Sequence, residues 1–162
     1  PARRRRRNGK NMVRGSLMKI LFVCTGNTCR SPMAEAFAKK EAEKRKLNIT
    51  EESAGIMTAD GLPASENAVA ALKKEDIDLS SFRSSRLTKE KAETSDLILA
   101  MTEEQCLFLR SAFPDKKVFC LKNSDISDPY GKSLSEYEKC AEEIKTAVKA
   151  VFDKLENDRK SN

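Results

Sequence analysis

Residues 19–24 read Lys-Ile-Leu-Phe-Val-Cys, and residues 25–32 continue Thr-Gly-Asn-Thr-Cys-Arg-Ser-Pro. The first run is short, mostly apolar and rich in β-branched and aromatic side chains, as a strand covered on both faces would be. The second is a polar loop. Ser31-Pro32 then opens a helix, with Ser as N-cap and Pro in the first helical position. The Ala-, Glu- and Lys-rich stretch 33–46 continues it, with Met33, Ala34, Phe37 and Ala38 as the apolar stripe.

The same alternation repeats downstream. A weaker strand is predicted near 49–54, ending at Gly55, and Gly61-Leu62-Pro63 marks a turn. A helix follows over 65–74, a Ser/Arg-rich loop over 78–87, and a short helix capped by Thr88. Residues 96–101, Asp-Leu-Ile-Leu-Ala-Met, form a buried strand; Thr102 caps a helix that Pro114 stops; 118–121 is a fourth strand. After a polar loop, Tyr137, Cys140, Ala141, Ile144, Val148, Val151, Phe152 and Leu155 recur at three- and four-residue spacing, the clearest helix in the chain. Strands alternating with helices predict an α/β fold: one doubly wound, four-stranded parallel sheet with helices on both faces. Ligands in such folds sit beyond the carboxyl ends of the strands, which selects the loop after Cys24.

The chain has 162 residues and 18.1 kDa, the size of one domain. It contains no His, which excludes histidine bases and histidine zinc sites. Its formal net charge is +6, but seven of the 31 basic residues and none of the 25 acids fall in residues 1–17. The rest is near neutral and does not have the charge of a nucleic-acid binder. The expected organisation is therefore a disordered basic extension at 1–17, a domain at 18–157 and a charged tail at 158–162. The extension reads as a tag or as sequence upstream of Met18, or else as a basic arm; any contact with nucleic acid would go through it. It has no apolar stretch like that of a signal peptide, and no run is long enough to span a membrane. Five cysteines, an odd number without paired Cys-x-x-Cys motifs, suggest free thiols in a reducing, cytoplasmic setting.

Cys24 and Arg30 enclose five residues, including Gly26 and Asn27, the types best able to take positive φ. A loop wound that way points consecutive amides inward as an anion nest, and the helix behind it adds its positive end. Arg30 supplies a planar two-pronged donor for a phosphate or another oxyanion, with Thr25, Gly26, Asn27, Thr28, Cys29 and Ser31 completing the cradle. The same field stabilises a thiolate at Cys24, and Ser31 can donate to its sulfur. Phosphoryl transfer to sulfur leaves a group that needs a proton; without His, a carboxylic acid is the natural donor. Asp128, stiffened by Pro129, fits that role, and Asp125 competes for it.

These motifs resemble the low-molecular-weight protein tyrosine phosphatases. The match covers about residues 18–157: the run from Val23 through Ala36, Ser-Ala-Gly at 53–55, Asp-Leu-Ser-Ser at 78–81, the strand at 96–101 and Asp-Pro-Tyr-Gly at 128–131. The resemblance implies that Cys24 forms a phosphocysteine, Arg30 binds the phosphoryl group, and Asp128 protonates the leaving group and then activates water. It implies that Asn27 and Ser53 hold the loop, that Ser31 assists the thiolate, and that Cys29 pairs reversibly with Cys24 under oxidation. No metal or organic cofactor is implied; the substrate is a phosphorylated protein and the protein a monomer.

Two positions depart from the usual pattern. Phe82 stands where the family often has His. Thr28 replaces an aliphatic residue and resembles the protein arginine phosphatase branch, whose planar cationic substrate suits a compact polar neighbour; Asp128 and Asp125 could pair with that cation. Tyr130 points instead to a stacked phenol, although a guanidinium also stacks on rings. The expected activity is therefore phosphoarginine hydrolysis, with phosphotyrosine as the alternative. An arsenate reductase would need two further relaying cysteines; Cys106 and Cys120 fall on different elements, too far apart in sequence for one mobile segment. A non-catalytic phosphate- or RNA-binding module is the remaining class.

Overall fold

A computed structural model describes residues 17–161. The basic stretch 1–16, and with it the expected extension, lies outside the described residues. From Met18 the order is β1 (Met18–Cys24), α1 (Arg30–Arg45), β2 (Ile49–Gly55), α2 (Glu66–Lys73), α3 (Lys89–Glu93), β3 (Leu97–Ala100), α4 (Glu103–Ala112), β4 (Val118–Cys120) and α5 (Leu134–Lys160). The four strands are parallel, in the order β2-β1-β3-β4.

The apolar run of β1 divides between two cores. Ile20, Phe22 and Cys24 face a core built with Met33, Phe37, Leu72, Ile144 and Phe152 from α1, α2 and α5. Leu21 and Val23 face a smaller one with Ile98, Ala100, Cys106 and Leu109. Side chains alternate faces along a strand, so a strand buried on both sides must be apolar at every position. That is why this run shows no alternation in sequence. β1 lies between β2 and β3, so the chain leaves it in one direction and later returns on its other side. The crevice beyond Cys24 is a topological switch point.

Two element boundaries differ from the sequence reading. The last helix runs to Lys160, so residues 158–160, expected as tail, continue it; no breaker intervenes, and Arg159 and Lys160 complement the helix's negative end. Helix α1 begins at Arg30 with Cys29 as its N-cap residue and no capping side chain. Ser31 is thus not the cap but lies within the first turn, because its hydroxyl is turned inward to the loop.

Candidate active site

Residues 24–30 form the floor of a cleft of about 390 Å³, walled by Met57, Thr58, Ala59, Leu62, Asp128 and Tyr130. The turn depends on Asn27, which is fully buried and left-handed at φ 54°. Its backbone N–H points to Cys24 Sγ at 3.2 Å. Its Nδ2 donates to Ser31 Oγ at 2.8 Å and to Ser53 Oγ at 3.0 Å, while its Oδ1 accepts the Ser85 N–H at 2.8 Å. One side chain therefore ties the loop to α1, to β2 and to the 78–87 segment, which offsets the cost of positive φ. Ser31 Oγ lies 2.8 Å from Cys24 Sγ.

Gly55 lets the loop approach the sheet. A Cβ there would lie 2.8 Å from the Thr25 carbonyl oxygen and 2.8 Å from Thr58 Cγ2. The same Thr25 carbonyl accepts the Met57 N–H at 2.9 Å. On the opposite side Gln105 Nε2 donates to Thr25 Oγ1 at 3.1 Å, while its Oε1 accepts the N–H groups of Met101 and Thr102. The Thr28 carbonyl accepts two bonds from Ser65, from N–H at 2.9 Å and from Oγ at 3.0 Å. Cys29 Sγ contacts Ser65 Oγ at 3.0 Å and the Tyr137 hydroxyl at 3.2 Å. Burial, reinforced by that sulfur contact, raises the Tyr137 hydroxyl to about 12, so it stays protonated.

Arg30 is only 5% exposed. Its Nη1 donates to the Ile126 carbonyl at 2.8 Å, and its Nη2 lies 3.6 Å from Asp128 Oδ2. Asp128 is half exposed, and its Oδ1 accepts the Tyr130 N–H at 3.1 Å, closing a tight turn around Pro129. The loop after β4 thus fixes Arg30 from behind and presents Asp128 to the cleft.

The structure brings Cys24, Thr25, Gly26, Asn27, Thr28, Cys29, Arg30, Asp128 and Tyr130 to one cleft, with Ser31 and Ser53 directly behind it. Asp125 does not join them. Its Oδ1 accepts the Glu103 N–H at 2.8 Å, at the start of α4, and it borders a different cavity. The two residues between Asp125 and Asp128 carry the chain from the α4 side to the cleft, so only the second carboxylate faces the loop. Tyr130 stands on the rim, 72% exposed. Phe82 packs against the edge of the larger core. Cys106 and Cys120 do fall on different elements, α4 and β4, and both pack in the smaller core.

Sequence reading did not single out Gln105, Ser65, Ser85, Tyr137 or the exposed apolar pair Met57 and Leu62. The signal was weak for most of them. Gln105 stands three residues after the cap Thr102 and reads as half of a capping box, which it also is.

A family model described as low molecular weight phosphotyrosine protein phosphatase matches residues 19–161. A "Protein-arginine-phosphatase" of Bacillus subtilis (strain 168) is 40% identical over 151 residues, covering 88% of this chain and all of that protein. A "Low molecular weight protein-tyrosine-phosphatase PtpB" of Staphylococcus haemolyticus is 34% identical over 133 residues, covering 78% and 92%. Among solved structures, a cysteine-to-serine mutant of YwlE arginine phosphatase with a phosphorylated active-site serine superposes with a TM-score of 0.83. It is 38% identical and covers 90% of this chain and 100% of that one.

Proposed function

The chain belongs to the low molecular weight phosphotyrosine protein phosphatase family, and on that premise we propose that it hydrolyses phosphoarginine in proteins through a phosphocysteine at Cys24. The observation that carries the substrate preference is Thr28, a small hydroxyl-bearing side chain on the cleft floor, its carbonyl held from below by Ser65. A bulky aliphatic residue there would offer a phenyl ring an apolar face; Thr leaves room for a planar, polar guanidinium. Likeness to proteins named as arginine phosphatases points the same way.

The mechanism follows from the cleft. The phosphate takes the inward-facing loop amides and the Arg30 guanidinium, whose two-pronged face matches two equatorial oxygens. Arg30 enters that role already oriented by the Ile126 carbonyl. The Cys24 thiolate attacks phosphorus from below, forming the S–P bond as the P–N bond breaks, and Asp128 gives its proton to the departing nitrogen. Asp128 then takes a proton from water, which attacks the phosphocysteine; phosphate leaves and the thiolate returns. Ser31, 2.8 Å from that sulfur, can donate to it whenever it is the free thiolate, before the attack and again after phosphate leaves. Cys29, the other thiol of the loop, protects Cys24 by reversible disulfide formation under oxidation. Every group named belongs to one chain, so a monomer suffices. Among the described residues no helix is long and apolar enough to cross a membrane, and a reducing cytoplasm suits the free thiols.

Phosphotyrosine is the second reading, favoured by one observation: Met57, Leu62 and Tyr130 give the cleft an exposed apolar rim that suits a phenol ring. Side-by-side kcat/KM on a phosphoarginine peptide and a phosphotyrosine peptide, with Cys24→Ser as blank, separates the two. A strong arginine preference that Thr28→Ile reverses supports the proposal. A tyrosine preference in the unsubstituted protein overturns it and assigns the selectivity to the rim.

A further inference from the structure

Two cysteines outside the cleft, Cys106 and Cys120, pack in the same core. Cys106, on α4, is fully buried beneath the sheet face that holds Leu21, Val23, Ile98 and Ala100. Cys120 ends β4 and packs, partly buried, against the same cluster. α4 and β4 are also joined by Arg110, whose Nε donates to the Val118 carbonyl at 3.0 Å, so the pair spans elements already locked together. Of the five cysteines, four are buried and Cys120 alone is partly open. It borders a cavity of about 550 Å³ whose wall also carries Arg110 and Lys122.

We propose that Cys106 and Cys120 are a second redox pair, separate from the reaction, which a hydroperoxide entering by the Cys120 cavity converts to a disulfide. An open thiol backed by a buried one sets the order of events. Cys120 meets the oxidant first: its sulfur takes one oxygen of the peroxide, the O–O bond breaks, and water leaves with the thiol's proton. Cys106 then attacks the Cys120 sulfenic acid. The S–S bond forms as the S–O bond breaks, and hydroxide departs with the Cys106 proton as a second water. Two thiols and one hydrogen peroxide thus give one disulfide and two waters. Burial, and then the neighbouring Cys120, hold the Cys106 thiol above the ordinary cysteine range, so the first oxidation falls on Cys120. The bond would clamp the start of α4 next to Gln105, the residue that holds Thr25 in the catalytic loop.

The test is disulfide mapping in a Cys24→Ser/Cys29→Ser protein treated with hydrogen peroxide, blocked with an alkylating agent and digested without reduction. A cross-linked species joining the peptide that contains Cys106 to the one that contains Cys120, lost on reduction, is the expected result. With Cys106→Ala added, Cys120 should instead advance to sulfinic acid. Recovery of both thiols alkylated, or of Cys120 bonded to Cys140 or to a second copy of the chain, overturns the proposal. The same digest of the unsubstituted protein reads the pair without reliance on the variants.

Discussion

The sulfur of Cys24 and the hydroxyl oxygen of Ser31 lie 2.8 Å apart, and Asn27 Nδ2 donates to that same hydroxyl at 2.8 Å. With Asn27 donating to the oxygen, the hydroxyl can give its own proton to a thiolate at Cys24, and the donors then line up from Asn27 through Ser31 to Cys24. A hydrogen bond to a charged group is worth about 1.5–3 kcal/mol. Ser31→Ala should therefore lower kcat/KM on a phosphopeptide by roughly 10–100-fold, and Ser31→Thr should retain much of the activity. Steady-state kinetics on the two variants checks this.

Asp128→Asn removes the proton donor and leaves the turn's acceptor oxygen in place. General acid catalysis contributes about 10²–10⁴-fold, so kcat on a substrate with a basic leaving group should fall by that order. An aryl phosphate whose leaving group departs without help should lose far less. Equal losses on both substrates would assign Asp128 to binding rather than proton transfer.

Gly55→Ala places a methyl group 2.8 Å from a backbone oxygen of the catalytic loop, an atom that cannot swing aside as a side chain would. Overpacking of this kind costs about 1–3 kcal/mol. Both Tm and kcat/KM should drop, because what must move is the Thr25 peptide beside the nucleophile. Thermal melts and kinetics on the same preparation check the coupling.

Glu51, on β2, is half buried, and burial is the main cause that raises its carboxyl from 4.5 to about 7, with Lys39 opposing and Glu35 reinforcing. Between those values the native chain holds a proton that the unfolded chain releases, so stability declines as pH rises through the window. Glu51→Gln should flatten that slope and stabilise the protein above pH 7 by about 1 kcal/mol, the solvent-screened share for a half-exposed group. Tm measured from pH 4.5 to 8 tests it.

The fold was legible because β1 and β3 are apolar on both faces and α5 keeps an unbroken helical repeat, signals set by local chemistry. The centre of the site was legible for a related reason: Gly26, Asn27, Arg30 and Ser31 must follow one another closely in sequence to wind around one phosphate. What pins the loop was not. Ser65, Ser85, Gln105 and Tyr137 are ordinary residues in ordinary positions, and their roles come from tertiary contacts that no local pattern encodes. Asp125 misled for the converse reason, since a carboxylate near a strand end looks the same whether it caps a helix or faces a cleft. That Cys106 and Cys120 share one core is likewise a product of packing, invisible in their sequence separation.

Arg30 takes its anchor from the Ile126 carbonyl, 96 residues later, and Cys29 touches Tyr137, 108 residues later. During synthesis the nucleophile and the phosphate cradle emerge early, but their supports arrive only when most of the chain has been made. A nascent chain that ends at β4 would carry Cys24 without the anchor of its cation or its acid, and one that ends before α5 would still lack Tyr137 behind Cys29. Catalytic competence should therefore appear late and abruptly on the ribosome, making turnover a reporter of completed folding rather than of the first βα unit.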